Sequence, residues 1–389
     1  MNFWHKNDLS NLNLIIDISA GSIGVALVKA PKDGVPHMLA SIRPTFYMKK
    51  GSSLAERENA MIQSLEDALE KLHEKVVATL PEKGTRSEIS KVVIALSSPW
   101  LISKTFIKKI SKDEPFLLDE VLANEALREE EGRFKKELEQ EYVEDTEVFE
   151  SRITGIFLNG YETRFPIKKR TQSADLRLIM SATKSSLIKR IENEIIKFFF
   201  VKEGVAIESF MAAYFKVFTH AFHDLHSALF VSMTSEITDV LFLKKGQSIS
   251  TITLSFGTSG ILDAIMAEMK APYELAHSYL ALYAENLLAG DVKDRIALIV
   301  EATALQLGAQ WHGTKSVVDD SDQPYPVYVV GAYGFENVAK TMLERILPNH
   351  NVILVGKDNS FTEKIISLES NVRSDEKLTL LSAHAVISS

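Results

Sequence analysis

Residues 14–28 read LIIDISAGSIGVALV and are among the most informative residues of the sequence for the fold. Two apolar runs flank the small residues Ser19, Ala20, Gly21 and Ser22. Apolar runs of this length bounded by turn residues predict two buried strands joined by a tight turn. Because small turn residues leave backbone N–H groups accessible to phosphate oxygens, the turn is a candidate phosphate-binding loop.

A second stretch repeats this pattern further along the chain. Residues 228–243 read ALFVSMTSEITDVLFL, again an apolar strand, a turn of small and polar residues, and a second apolar strand. Two such loops facing each other would hold a nucleotide between two halves of the molecule. The repeat therefore predicts an internal duplication, in which each half has a mixed sheet covered by helices.

A third motif lies at residues 327–338, which read VYVVGAYGFENV. The pattern predicts a strand, a turn containing Gly331 and Gly334, and the start of a helix. A single glycine-containing turn is a weak signal, so the order of the three motifs is more specific than any one of them.

Together these three motifs resemble the actin-like ATPase superfamily, over nearly the whole chain. The resemblance implies an α/β chain with an actin-like (ribonuclease H-like) two-lobed fold. Its duplicated mixed sheets would be covered by helices, and a small α+β subdomain (1C-like) would be inserted. An insertion at this position is typical of the branch that holds FtsA, the bacterial cell-division protein, and PilM, the type IV pilus assembly protein.

The resemblance also implies domain boundaries. The first lobe (1A) is expected at residues 1–99, completed by about 183–226 and a C-terminal helix at 375–389. The inserted subdomain is expected at 100–182, with an acidic helix at 117–142 and long strands at 148–158 and 174–182. The second lobe (2A) is expected at 227–257 and 320–374, with a helical 2B-like subdomain at 258–319.

Composition narrows the functional classes. The chain has 389 residues, of which 46% are hydrophobic and 25% charged, as in ordinary globular proteins. It contains no cysteine, which excludes disulfides and thiolate metal sites, and its net charge of −8 argues against nucleic-acid binding. The sequence shows no secretory signal and no apolar run long enough for a membrane span. We therefore expect a cytoplasmic protein.

The resemblance implies a site for ATP and Mg²⁺, in which Asp17 would hold Mg²⁺ through water. The expected nucleotide-binding residues are Asp17, Ser19, Ala20, Gly21, Ser22, Thr234, Ser235, Thr238, Asp239, Gly331, Ala332, Tyr333 and Gly334.

The chain departs from the family pattern at several of these positions. Ser19 stands where glycine is expected, and Ser232 stands where the second loop usually has its first aspartate. Thr234, Ser235 and Glu236 replace loop glycines, although β-branched threonine disfavours the conformations that glycine allows. The sequence therefore predicts ATP binding with weak or no hydrolysis, and it assigns no catalytic residue.

The resemblance leaves three functions open. The first is a PilM-like scaffold that binds the short cytoplasmic tail of a PilN-like membrane protein, with Trp100, Ile102, Phe157 and Tyr161 as candidate contacts. Such a tail would recruit the chain to the inner face of the cytoplasmic membrane. The second is an FtsA-like protein that assembles into dimers or filaments and tethers a tubulin-like division protein. The third is an active ATPase or kinase.

The last residues favour the first function. Residues 378–389 are predicted to form the final helix of the actin-like fold, and no amphipathic membrane-targeting helix is visible after it. A membrane-surface helix would show Lys or Arg opposite large apolar side chains.

Overall fold

The computed structural model describes residues 12–30, 35–47, 51–79, 87–141, 145–163, 165–222, 227–244, 247–313, 324–356, 367–368 and 375–387. The strands are β1 Leu12–Ser19, β2 Ser22–Lys29, β3 His37–Ile42, β4 Ser87–Leu96, β5 Ile102–Leu118, β6 Thr146–Leu158, β7 Tyr161–Glu162, β8 Lys169–Lys184, β9 Phe199–Ser209, β10 Ser227–Met233, β11 Thr238–Lys244, β12 Gln247–Leu254, β13 Pro326–Val330, β14 Asn351–Leu354 and β15 Ser367–Leu368. The helices are α1 Leu54–Thr79, α2 Glu120–Glu141, α3 Ser185–Phe198, α4 Phe210–Ala221, α5 Thr258–Met269, α6 Tyr273–Ala284, α7 Gly290–Gly313, α8 Glu336–Ile346 and α9 Glu376–Ile387. None of the helices in these ranges is long and apolar enough to cross a membrane.

The chain divides into two compact units. The first comprises Met1–Ser97, Lys189–Ala221 and Leu354–Ser389, and the second comprises Ser98–Ile188 and Phe222–Ile353. The first unit holds a six-stranded sheet in the order β15-β3-β2-β1-β4-β9. The second holds a five-stranded sheet, β12-β11-β10-β13-β14, and a four-stranded sheet, β5-β8-β6-β7. The finer lobe boundaries expected from the sequence stay a prediction.

The two larger sheets share one pairing scheme. In the first unit, β2 pairs antiparallel with β1 and with β3, while β4 runs parallel to β1. In the second unit, β11 pairs antiparallel with β10 and with β12, while β13 runs parallel to β10. This repeat confirms the duplicated mixed sheets that the two hairpin motifs predict.

The core of the first unit explains its unbroken apolar strands. All eight residues of β1 are buried, and α1 and α9 both pack against the β1–β2 pair. Strands covered on both faces show continuous apolar runs rather than alternation. On α1, Met61, Leu65, Leu69 and Leu72 are fully buried at helical spacing, as the sequence predicts.

In the second unit, α2 covers one face of the four-stranded sheet. Sequence periodicity places the first strand of this sheet at 101–107 only, whereas β5 runs from Ile102 to Leu118. The residues from 111 to 115 are exposed and mostly polar, so no apolar pattern marks them as a strand. The apolar pattern of residues 187–200 predicts a single helix, but α3 ends at Phe198 because Phe199 to Val201 pair with β4 in the parallel ladder.

Candidate functional site

The first hairpin motif forms the tight turn that the sequence predicts. Strands β1 and β2 pair so that Ser19 lies opposite Ser22 and Asp17 opposite Gly24. The segment after β3 closes over the turn, since Phe46 donates its backbone N–H to the Gly21 carbonyl at 2.9 Å. This segment brings Arg43 to the hairpin.

The carboxylate of Asp17 is buried and accepts several hydrogen bonds. Its Oδ2 accepts from Arg43 Nη1 at 2.8 Å, and Ser19 Oγ donates to both carboxylate oxygens at 3.0 and 3.1 Å. Arg43 also donates from Nη1 to Ser22 Oγ at 3.2 Å. The other side of the guanidinium makes a bidentate contact with Asp375. Nε donates to Oδ2, and Nη2 donates to Oδ1 at 3.1 Å. Arginine prefers this two-bond geometry with carboxylates.

A second cation completes the group. Lys377 donates to Ser19 Oγ at 2.7 Å and to Ser97 Oγ at 3.3 Å. Its Nζ lies 3.9 Å from Asp17 Oδ1 and 4.3 Å from the centroid of the Phe210 ring. We call the four charged side chains Asp17, Arg43, Asp375 and Lys377 the Arg43 cluster. Two carboxylates and two cations make the cluster neutral.

The two carboxylates favour the charged form of Arg43. The side chains of Arg43 and Asp17 are 3% and 0% exposed. Burial alone lowers the pKa of Arg43, but the charges of Asp375 and Asp17 outweigh it and raise the pKa above its usual value. Buried charges of this kind persist when they are paired and hydrogen-bonded.

Asp375 also begins the last helix. Its carboxylate Oδ1 accepts from the Leu378 N–H at 3.0 Å, and its carbonyl accepts from the Thr379 N–H at 2.8 Å. An aspartate in this position caps the helix N-terminus by accepting unpaired backbone N–H groups. The same carboxylate therefore joins α9 to Arg43.

Gly24 makes room for the guanidinium. A Cβ atom at Gly24 would lie 2.2 Å from Arg43 Nη2 and 2.6 Å from Cζ, well inside contact distance. Since Gly24 is paired with Asp17, the missing side chain leaves the space in which Arg43 reaches the carboxylate.

The second hairpin loop closes on itself and on the start of α5. Thr234 donates its N–H to the Ile237 carbonyl at 2.8 Å, and Thr234 Oγ1 accepts from the Ile237 N–H at 3.3 Å. The carbonyls of Thr234 and Ser235 accept from the N–H groups of Thr258 and Ser259 at 3.1 and 2.7 Å. A helix N-terminus with unused N–H groups attracts anions, but these two are already bonded to the loop.

Asp239, the aspartate at the end of this loop, accepts hydrogen bonds from two hydroxyl groups. Asp239 Oδ1 accepts from Ser98 Oγ at 3.0 Å and from Thr253 Oγ1 at 2.7 Å. Ser232, paired with Asp239 across the hairpin, is fully buried, and its Oγ has no hydrogen-bond partner in the described part of the chain.

The third motif forms the strand, turn and helix that the sequence predicts, as β13 and α8. Gly334 donates its N–H to Glu336 Oε1 at 2.9 Å, and Phe335 donates its N–H to the Ala332 carbonyl at 2.8 Å. Tyr333 is half-buried. Like the second hairpin loop, this turn engages N–H groups within its own segment.

Comparison with known proteins identifies the fold. No family model and no curated protein matches the sequence. The structure matches PilM in the PilM–PilN type IV pilus biogenesis complex with a TM-score of 0.65 and 12% identity, over 97% of this chain and 98% of that one. The chain has the actin-like ATPase fold.

Two weaker matches have TM-scores below 0.5, and neither adds to the functional argument. The ethanolamine utilization protein EutJ from Carboxydothermus hydrogenoformans matches at 11% identity and a TM-score of 0.46, over 97% of this chain and 90% of that one. The psk41 ParM protein matches at 11% identity and a TM-score of 0.41, over 97% of each chain.

The actin-like fold implies ATP and Mg²⁺, but the residues around Asp17 do not fit a metal ion. A water-mediated Mg²⁺ site needs carboxylate oxygens that face ordered water. Here both Asp17 oxygens accept from Ser19, one is paired with Arg43, and Lys377 lies nearby. Two cations at the carboxylate oppose a third.

The sequence reasoning missed Arg43, Asp375 and Lys377. Charged residues without a motif are usually solvated, so nothing in the local sequence marks these three as buried partners of Asp17. The one available signal was Gly24, whose absent side chain in an apolar strand indicates a close approach.

The predicted partner contacts fall on different parts of the inserted sheet. Trp100 is buried, and Ile102 packs against the core beneath α2. Phe157 lies on the opposite face, with the Arg177 guanidinium 4.9 Å from its ring centroid. Tyr161 is 77% exposed. Of the four, Phe157 and Tyr161 therefore lie at the solvent-accessible surface away from the α2 core, and their role as partner contacts stays a prediction.

The loop of the second hairpin depends on Gly257. We expect Gly257→Ala to lower the free energy of unfolding by about 1–3 kcal/mol. A Cβ there would lie 2.5 Å from the Ser235 carbonyl and 2.5 Å from the Thr234 carbonyl oxygen. Thermal unfolding measures the loss. The control is Gly260→Ala, where the nearest atom is 3.5 Å away on the Phe256 ring. Equal stability of the two variants would contradict the close contact.

Proposed function

We propose that this chain is a scaffold protein of a type IV pilus assembly machine and binds a short segment of a partner protein, as PilM is found with PilN. The likeness to PilM over 97% of the chain supports this proposal. The proposed partner is the cytoplasmic tail of a PilN-like membrane protein. Through that tail, the chain would work at the inner face of the cytoplasmic membrane.

The observation that carries the proposal is the outer face of the four-stranded sheet, the face opposite α2. Across the sheet, Ile107 of β5 lies opposite Arg177 of β8, and Arg177 lies opposite Gly155 of β6. Phe157 is two residues further along β6, opposite Asp175. Ile107 is exposed, and Phe157 is half-buried under Arg177. Apolar and aromatic side chains beside an arginine are typical anchors of a protein interface.

The end of this sheet offers further contacts. Tyr161 and Phe165 are 77% and 72% exposed at the end of the β6–β7 hairpin. On its side away from β8, strand β6 pairs with only the two residues of β7 in the described part of the chain, so the edge of β6 next to this hairpin is a place where an extended peptide can add as a strand. A short tail that adds backbone bonds at the edge would place side chains on the outer face.

A labelled peptide tests the proposal. The probe is the short cytoplasmic tail of the PilN-like protein encoded in the same genome, carrying fluorescein, and fluorescence anisotropy gives its Kd. We expect the wild-type chain to bind it and the Phe157→Ala/Tyr161→Ala variant to bind at least about tenfold more weakly, since interface aromatics often contribute more than 1–2 kcal/mol each.

The control is Leu305→Ala on α7, another exposed apolar residue that lies outside the sheet. Its affinity should equal that of the wild type. Absence of wild-type binding, or an unchanged Kd in the double variant, would rule out this docking surface.

A further inference from the structure

We propose that the guanidinium of Arg43 takes the place of a metal ion at Asp17, so that the chain keeps its native structure with neither ATP nor Mg²⁺ bound. This inference goes beyond the scaffold role and does not depend on the identity of the partner.

The first argument is that the donors of the Arg43 cluster are already engaged. Arg43 uses Nη1 for Asp17 and Ser22, and Nε and Nη2 for Asp375. Lys377 uses its ammonium group for Ser19 and Ser97. A phosphate group that paired with Arg43 or Lys377 would have to break bonds that already satisfy these buried charges.

The second argument is charge. Arg43 Nη1 lies 2.8 Å from one carboxylate oxygen of Asp17, and Lys377 Nζ lies 3.9 Å from the other. A divalent cation at Asp17 would be repelled by both positive charges. These two side chains already place positive charge beside both oxygens of the carboxylate. The negative charge of Asp17 that would attract Mg²⁺ is therefore already paired with cations of the chain. One of these cations, Arg43, also makes a bidentate contact with Asp375 at the start of α9.

The third argument comes independently from the second unit. In its hairpin loop, the N–H groups of Thr234 and Ile237 donate to oxygens of the loop itself. The N–H groups of Thr258 and Ser259 at the start of α5 donate to carbonyls of the same loop. At the third motif, the Gly334 N–H is taken by a glutamate side chain. Loops that hold phosphates need such N–H groups directed at the ligand.

The first test is a titration of the wild-type chain. Protein treated with EDTA and dialysed is titrated with Mg²⁺ and ATP to millimolar concentration by calorimetry, and its Tm is measured with and without Mg²⁺ and ATP at equal ionic strength. We expect no saturable heat and no change in Tm. Saturable binding, or a rise in Tm specific to the nucleotide, would overturn the proposal.

The second test separates a structural charge from a metal ligand. We expect Asp17→Asn to lower the Tm of the metal-free protein by about 5 °C or more, because it leaves a buried cation unpaired. If Asp17 served only as a metal ligand, loss of its charge would leave the metal-free Tm unchanged or higher. Asp113→Asn, an exposed aspartate of β5, is the matched control and should not change the Tm.

A third variant keeps every charge and moves only the guanidinium. Gly24→Ala places a Cβ where Arg43 lies, so we expect a lower Tm in EDTA. Gly132→Ala on α2, where nothing lies within 4 Å of the added atom, is its control. A Gly24→Ala protein as stable as the Gly132→Ala protein would contradict the assigned position of Arg43.

Discussion

Arg43→Ala is expected to lower the free energy of unfolding by about 3–5 kcal/mol, which is the usual cost of removing one partner from a buried ion pair. The substitution removes the cation that bonds to both Asp17 and Asp375, so the buried cluster keeps two carboxylates but only the one cation of Lys377. It also removes one of the two side-chain links between the first hairpin and α9 that the structure describes, and leaves the bond from Lys377 to Ser19. Thermal unfolding followed by circular dichroism, in EDTA, measures the loss.

Arg43→Lys is the matched variant for this prediction. Lysine keeps the charge but provides a single ammonium group, so it cannot span Asp17 and fork onto Asp375 at once. We expect its stability to lie between those of the wild type and Arg43→Ala. A Tm for Arg43→Ala within 1–2 °C of the wild type would show that the cluster does not hold the unit together.

Phe134→Ala is expected to lower the free energy of unfolding of the four-stranded sheet and α2 by about 3–5 kcal/mol. Phe134 is fully buried between the helix and the sheet, and its ring meets the edge of Phe106 at a centroid distance of 5.5 Å. Truncation leaves a cavity and removes this aromatic contact. Amide hydrogen exchange over β5, β6 and β8 measures the local loss, because it resolves opening of one part of a chain.

The control for this prediction is Phe165→Ala, the same chemical change at a residue that is 72% exposed. Substitutions at such surface sites usually change stability by less than about 0.5 kcal/mol. If both variants exchanged at the same rate as the wild type, Phe134 would not be the centre of this core. We also expect Phe134→Ala to lose the proposed peptide binding, since the outer face depends on the same sheet.

Much of the fold follows from local patterns. The two hairpins, α1 and the strand of the third motif are all marked by long apolar runs or by helical spacing, because both faces of the sheets or one face of the helix are buried. The pattern fails where burial is low. The outer half of β5 is polar and exposed, and β9 begins within a run of phenylalanines whose pairing with β4 is fixed only by the parallel ladder.

The candidate site is less predictable, for a physical reason. A loop motif fixes which residues stand at a turn, so the positions of Asp17 and Asp239 follow from the sequence. Whether a carboxylate faces water or a cation depends on residues from elsewhere in the chain. Asp375 lies 332 positions from Arg43, and nothing local to either residue indicates the pair.

The pairing of Arg43 with the cap of α9 has a consequence for the order of events during synthesis. Strands β1 and β2 leave the ribosome early, together with Asp17 and Arg43, whereas Asp375 follows 332 residues later. At about 5–20 residues per second, translation takes roughly 20–70 s to cover that distance. For that time Arg43 lacks Asp375 and Asp17 lacks Lys377, so the first unit can complete the Arg43 cluster only after α9 has been synthesised.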